Sequence, residues 1–111
     1  MTLQESIANK PQEFQQLCHE HNVQSLYAFG SSVNGHFNDG TSDIDLLIEI
    51  NSEDPIQSGE MLMRIWDKFE MFFQKKVDLL TSRSLRNPIL KASIESTKVL
   101  IYDGKELKIS Y

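Results

Sequence analysis

Asp43 and Asp45 stand one residue apart at the start of the run Asp43-Ile44-Asp45-Leu46-Leu47-Ile48-Glu49-Ile50. The alternation of a strand sends Ile44, Leu46, Ile48 and Ile50 to one side and both aspartates to the other. The rise per residue puts the two Cα atoms about 6.5–7 Å apart, close enough for both carboxylates to lean onto one small cation. Two like charges so placed repel, and aspartate is a poor strand former. A divalent metal offsets both problems. Asp78 repeats the anomaly between Val77 and Leu79 of another apolar run, where a lone buried carboxylate would cost several kcal/mol unless paired or protonated. If the strand of Asp78 lies beside that of Asp43 and Asp45, three acids converge on an oxygen cage suited to Mg²⁺ or Mn²⁺ rather than zinc. Each acid alone has a plainer explanation, Ser42-Asp43 as a solvated turn and Asp78 as the partner of Lys75, Lys76 or Arg83.

Upstream, Gly30-Ser31 follows a predicted strand and opens a possible short helix. Free backbone N–H groups and a hydroxyl there suit an anionic phosphate. An anion pocket beside a cation site points to a nucleoside triphosphate bridged to the protein by metal, and to in-line phosphoryl or nucleotidyl transfer. Two other motifs fail on the same letters. Gly30 and Gly35 have a Walker A spacing, but His36-Phe37 stands where Lys and Ser/Thr are required. An EF-hand loop centred on Gly40 would put Gly35 at the first ligand and Leu46 at the final acid.

The elements that must carry these residues follow from periodicity. Pro11 opens a helix with Phe14, Leu17 and Cys18 at helical spacing, and Val23 to Phe29 reads as a strand. Gly30 ends it, a turn or short helix covers Ser31 to Gly35, and a polar loop from His36 to Ser42 leads into the strand Asp43 to Ile50. Asp54-Pro55 caps a long helix whose Leu62, Ile65, Trp66, Phe69 and Phe73 form one buried face. Val77 to Thr81 is a short strand, and Asn87-Pro88 opens a last helix carrying Ile89, Leu90 and Ile94. Val99 to Tyr102 and Leu107 to Ile109 flank Asp103-Gly104, a hairpin signal. The order α-β-α-β-α-β-α-β-β predicts a small α/β or α+β unit, with a mixed sheet backed by helices mainly on one face.

Composition narrows the classes. At 111 residues, 40% hydrophobic and 24% charged, the chain fits one compact globular domain over 1–111. A net charge of −5 lacks the electropositive footprint of a protein that grips duplex nucleic acid. No apolar segment is long enough to span a membrane, and the first ten residues lack the apolar stretch of a secretion signal. The expected setting is cytoplasmic. One cysteine, Cys18, excludes an internal disulfide, and the imidazoles of His19 and His21 cannot join it on one helical face as a metal site; a helix-end cluster is the reading. Met61, Met63, Met71 and Phe72 widen the apolar face of the long helix, as core gap-fillers or as a partner surface.

Gly30-Ser31 after a strand, Ser42-Asp43-Ile44-Asp45 opening the next and Asp78 in Lys76-Val77-Asp78-Leu79-Leu80 together resemble the minimal nucleotidyltransferases of the DNA polymerase beta superfamily. The resemblance extends over essentially the whole chain in element order. It implies a nucleotidyltransferase fold, Mg²⁺ or Mn²⁺, ATP or another nucleoside triphosphate, and transfer of a nucleoside monophosphate to an acceptor hydroxyl. Asp43, Asp45 and Asp78 take the places of the metal-binding catalytic acids, Asp78 also helping to deprotonate the acceptor, and Gly30 and Ser31 those of the triphosphate contact. Many relatives carry Ala-Arg before the second glycine of this turn, where Val33-Asn34 stands here. An amide cannot neutralise charge as a guanidinium does, and His36, Lys75, Lys76 and Arg83 are the cations that could compensate. The family also implies a helical HEPN toxin as partner, the small protein acting as antitoxin, in some systems by attaching AMP to a partner tyrosine. The alternative is an inactive module of this fold that neutralises such a partner by contact.

Overall fold

The computed structural model describes residues 3–30, 43–82, 85–104 and 108–109. The helices are α1 (Leu3–Asn9), α2 (Pro11–Glu20), α3 (Pro55–Phe73) and α4 (Pro88–Thr97); the strands are β1 (Val23–Phe29), β2 (Ile44–Ile50), β3 (Val77–Thr81), β4 (Val99–Asp103) and β5 (Lys108–Ile109). The sheet order is β3-β2-β1-β4-β5. Among the described residues only β2 and β3 pair in parallel, so the sheet is mixed and the fold α+β.

Local chemistry sets the helix bounds. Asp54 caps α3 by accepting from the Ile56 N–H at 3.0 Å, and Gln74 ends the helix in the left-handed region. Asn87 caps α4 by accepting from the N–H groups of Ile89 and Leu90. From α3, Ile65, Phe69 and Phe73 enter the core; Leu62 and Trp66 pack at its rim. Phe14 of α2 lies among the rings of Phe69, Phe72 and Phe73 at centroid distances of 5.4–6.0 Å. Such ring pairs add to the stability from area burial alone. Ile44, Leu46 and Ile48 of β2 complete this core, as period-two alternation requires.

The structure adds one helix to the expected order. The short α1 buries Leu3 and Ile7, a single i,i+4 pair in seven residues, too brief a pattern to stand out from a chain terminus. The hairpin also differs. Asp103 still belongs to β4 and pairs with Lys108, which opens β5, so both inner strand ends lie one residue later than expected. Gly104 is needed for close approach, since a Cβ there would lie 2.2 Å from the Val23 carbonyl oxygen. Cys18 is fully buried and burial pushes its thiol far above the ordinary range, which leaves it inert. His21 caps the end of α2, its Nδ1 donating to the Leu17 carbonyl at 2.8 Å. Phe72 fills the core rim as a gap-filler would, whereas Met63 and Met71 face solvent. Among the described residues, no helix is long and apolar enough to cross a membrane.

Candidate active site

β2 and β3 run in register with Ile44 opposite Val77 and Asp45 opposite Asp78. Neighbouring strands lie about 4.8 Å apart, so these two carboxylates leave adjacent rungs on the face turned away from the Ile44, Leu46 and Ile48 core. Asp43 precedes Asp45 by two residues and shares that side. The start of β3 is fixed from α3: Trp66 Nε1 donates to the Val77 carbonyl at 2.7 Å, and Glu70 Oε2 accepts from the Val77 N–H at 3.0 Å. On the other flank, β1 sets Phe29 opposite Asp45. The chain then turns at Gly30 with φ +64°, and a Cβ added there would stand 2.6 Å from Asp45 Oδ2. The bare glycine Cα therefore seats against the carboxylate.

Asp45 is half-buried, and burial first, then the charges of Asp78 and Asp43, push its carboxyl above the ordinary carboxylate value. Asp45 thus senses the charges of the other two acids of the sequence reading. The three are neighbours rather than a finished cage: among the described residues no three acid, imidazole or thiol groups are drawn together as metal ligands. Asp78 is exposed, where a strand of its apolar character suggests burial. The reason is topological, because β3 is the edge strand and α3 covers only its other face. Ser31, Asn34, His36 and Arg83 lie outside the described residues.

The donor set fits a hard divalent cation: adjacent carboxylate oxygens, a carboxyl whose charge is disfavoured, and no soft ligand on these rungs. A group whose pKa is raised on folding contributes stability below the unfolded value, near pH 4, and loses it as pH rises through the folded value. Asp45 therefore costs stability at neutral pH, and a bound cation should remove that cost. Millimolar Mg²⁺ or Mn²⁺ is expected to raise the thermal midpoint at pH 7.5 and to do so much less at pH 4.5, where protons compete. An equal shift at both pH values in a melting experiment would count against metal binding by these carboxylates.

One residue that sequence reasoning missed lies on the same face. Lys98, the C-cap of α4, holds its Nζ 4.2 Å from the centroid of the Tyr27 ring and 2.9 Å from Glu95 Oε2. Tyr27 pairs with Leu47, two residues along β2 from Asp45. The available signal was weak: Lys98 immediately precedes β4, and only the pairing of β4 with β1 brings it here. A cavity of about 230 Å³ bounded by Glu49, Ser52, Ser58 and Ser82 lies elsewhere, at the far end of β2, roughly 13 Å along the strand. None of the three acids lines that cavity.

The family of the chain is shown by its similarity to known proteins. Residues 12–107 match the family model described as "Polymerase beta, Nucleotidyltransferase". A protein of Methanocaldococcus jannaschii named "Putative protein adenylyltransferase MJ1379" is 33% identical over 82 residues, covering 74% of this chain and 80% of its own. Among solved structures, one described as a toxin-antitoxin with AMP-PNP superposes with a TM-score of 0.61 at 20% identity, over 87% of this chain and 76% of that one. Another, described as a tri-AMPylated Shewanella oneidensis HEPN toxin in complex with MNT antitoxin, gives a TM-score of 0.52 at 19% identity, over 91% and 75%. The chain belongs to the polymerase beta nucleotidyltransferase family.

Proposed function

We propose that this protein transfers a nucleoside monophosphate, AMP from ATP, to a hydroxyl of a helical HEPN-type partner protein, and that it serves as the antitoxin of that pair. The observation that carries the reading is the register of Asp45 with Asp78, with Gly30 seated on Asp45. The names of the relatives, an adenylyltransferase and complexes of HEPN toxin with MNT antitoxin, support the acceptor class. The 1–111 unit acts as a single catalytic domain in a cytoplasmic setting.

Asp43 and Asp45 would hold Mg²⁺ or Mn²⁺, with Asp78 as the third acid. When bound, the ion supplies charge neutralisation on the nucleotide phosphates. The protein's own groups do the rest. Gly30 and Ser31 orient the triphosphate through backbone N–H groups and the hydroxyl. Asp78, exposed on the edge strand, receives the acceptor proton as the acceptor oxygen bonds to the α-phosphorus. The bond from that phosphorus to the bridging oxygen breaks, and pyrophosphate leaves.

The test is direct. The purified chain, its co-purified partner, Mg²⁺ and α-labelled ATP are incubated, and the labelled polypeptide is identified by mass. Label on a partner hydroxyl, absent with γ-labelled ATP, is the expected result. Neutralisation of the partner with no label, and no heat on calorimetric titration with millimolar Mg²⁺-ATP, would instead establish the contact-only module.

A further inference from the structure

We infer that Lys98 is a phosphate-positioning residue, held over Tyr27 by Glu95 until nucleotide takes the place of that carboxylate; the inference rests on the nucleotide reading above. A triphosphate brought to a face with Asp43, Asp45 and Asp78 meets a strongly negative surface, and the turn Ser31-Ser32-Val33-Asn34-Gly35 contains no cation to offset it. The fold supplies one from α4 instead. Ser25, Tyr27 and Phe29 of β1 stand opposite Glu49, Leu47 and Asp45, so Tyr27 shares the carboxylate face. Cross-strand diagonal neighbours lie about 7–8 Å apart, which places the Tyr27 ring next to Asp45. The Lys98 ammonium lies over that ring at 4.2 Å, and its side chain is only 21% exposed.

This placement is not that of a solvated surface lysine. Its stem crosses the face from the C-cap of α4, where the Lys98 N–H donates to the Ile94 carbonyl at 2.8 Å. Among the described residues its ammonium has one carboxylate partner, Glu95, 2.9 Å away. An ammonium can give three hydrogen bonds, so phosphate oxygens can be added while the Tyr27 ring still supports the charge. Glu95, with a side chain 46% exposed, can swing into water at small cost.

Calorimetric titration of the full chain with Mg²⁺-ATP, and separately with adenosine, tests this. Lys98→Met should weaken Mg²⁺-ATP binding about tenfold or more, as loss of a charged hydrogen bond does. Adenosine, which has no phosphate, should be unaffected. Lys98→Arg should restore binding to within about threefold of wild type. Glu95→Gln keeps the Lys98 ammonium but removes the carboxylate that competes with phosphate for it, and should tighten Mg²⁺-ATP about two- to threefold. In the transfer assay, the Lys98→Met effect should fall on KM for ATP rather than on kcat. Unchanged Mg²⁺-ATP affinity in Lys98→Met, or weaker binding in Glu95→Gln, would overturn the inference while leaving the enzyme assignment intact. Absence of Mg²⁺-ATP binding by the wild-type protein would overturn both. Should Lys98→Met fail to fold, the Glu95→Gln outcome decides.

Discussion

Asp45→Asn is expected to lower nucleotide transfer by at least about a thousandfold while leaving the protein as stable as wild type or more so at pH 7.5. The first half follows from charge. Asp45 lies between Asp43 in sequence and Asp78 across the strand pair, and loss of one anionic ligand removes several kcal/mol of transition-state stabilisation, with each ~1.4 kcal/mol worth a factor of ten. The second half follows from the same arrangement with the opposite sign. Burial and two like charges raise the carboxyl above its ordinary value, so the folded state disfavours the ionised form. A neutral amide of nearly the same shape removes that repulsion. Because the cost of Asp45 exists only where it is ionised, the stability difference should shrink as pH falls towards about 4. Melting curves of both proteins at the two pH values, beside a transfer assay, check this. A variant that keeps full turnover, or that unfolds at neutral pH, contradicts the assignment.

Gly30→Ala should cost both activity and stability. The position has φ +64°, a conformation that costs an L-residue roughly 1–2 kcal/mol. The added methyl would also stand 2.6 Å from Asp45 Oδ2, closer than ordinary contact permits, so the carboxylate must leave its present position. A displacement of about 1 Å at a reacting centre can cost about a hundredfold in rate. The expected outcome is therefore a melting temperature lower by several degrees and transfer reduced about a hundredfold. Gly30→Ala combined with Asp45→Asn should lose little further activity, because both changes act through one carboxylate. Multiplicative losses in the double variant would mean that Gly30 acts elsewhere.

Much of this was legible in the residues. Leu62, Ile65, Trp66, Phe69 and Phe73 marked α3, a helix of 19 residues, because their helical spacing leaves no competing period. The Asp54-Pro55 and Asn87-Pro88 pairs marked the helix starts because caps are local chemistry. The acids were visible as charges in strands that should be apolar. What one chain could not give was which strands are neighbours: the pairing of Asp45 with Asp78 depends on β3 choosing β2, a non-local event. Lys98 escaped notice for the same reason, reaching the carboxylate face only once β4 has paired with β1. The exposure of Asp78 was likewise hidden, since the apolar run Val77-Leu79-Leu80 does not say that its strand is last in the sheet.

The hold of Trp66 and Glu70 on Val77 has one more effect. An outermost strand with bare amide and carbonyl groups invites ladder formation with a foreign chain. Here the first outward-facing peptide groups of β3 are already spoken for by an indole and a carboxylate. That margin is therefore shielded from ladder formation where it begins, next to Asp78.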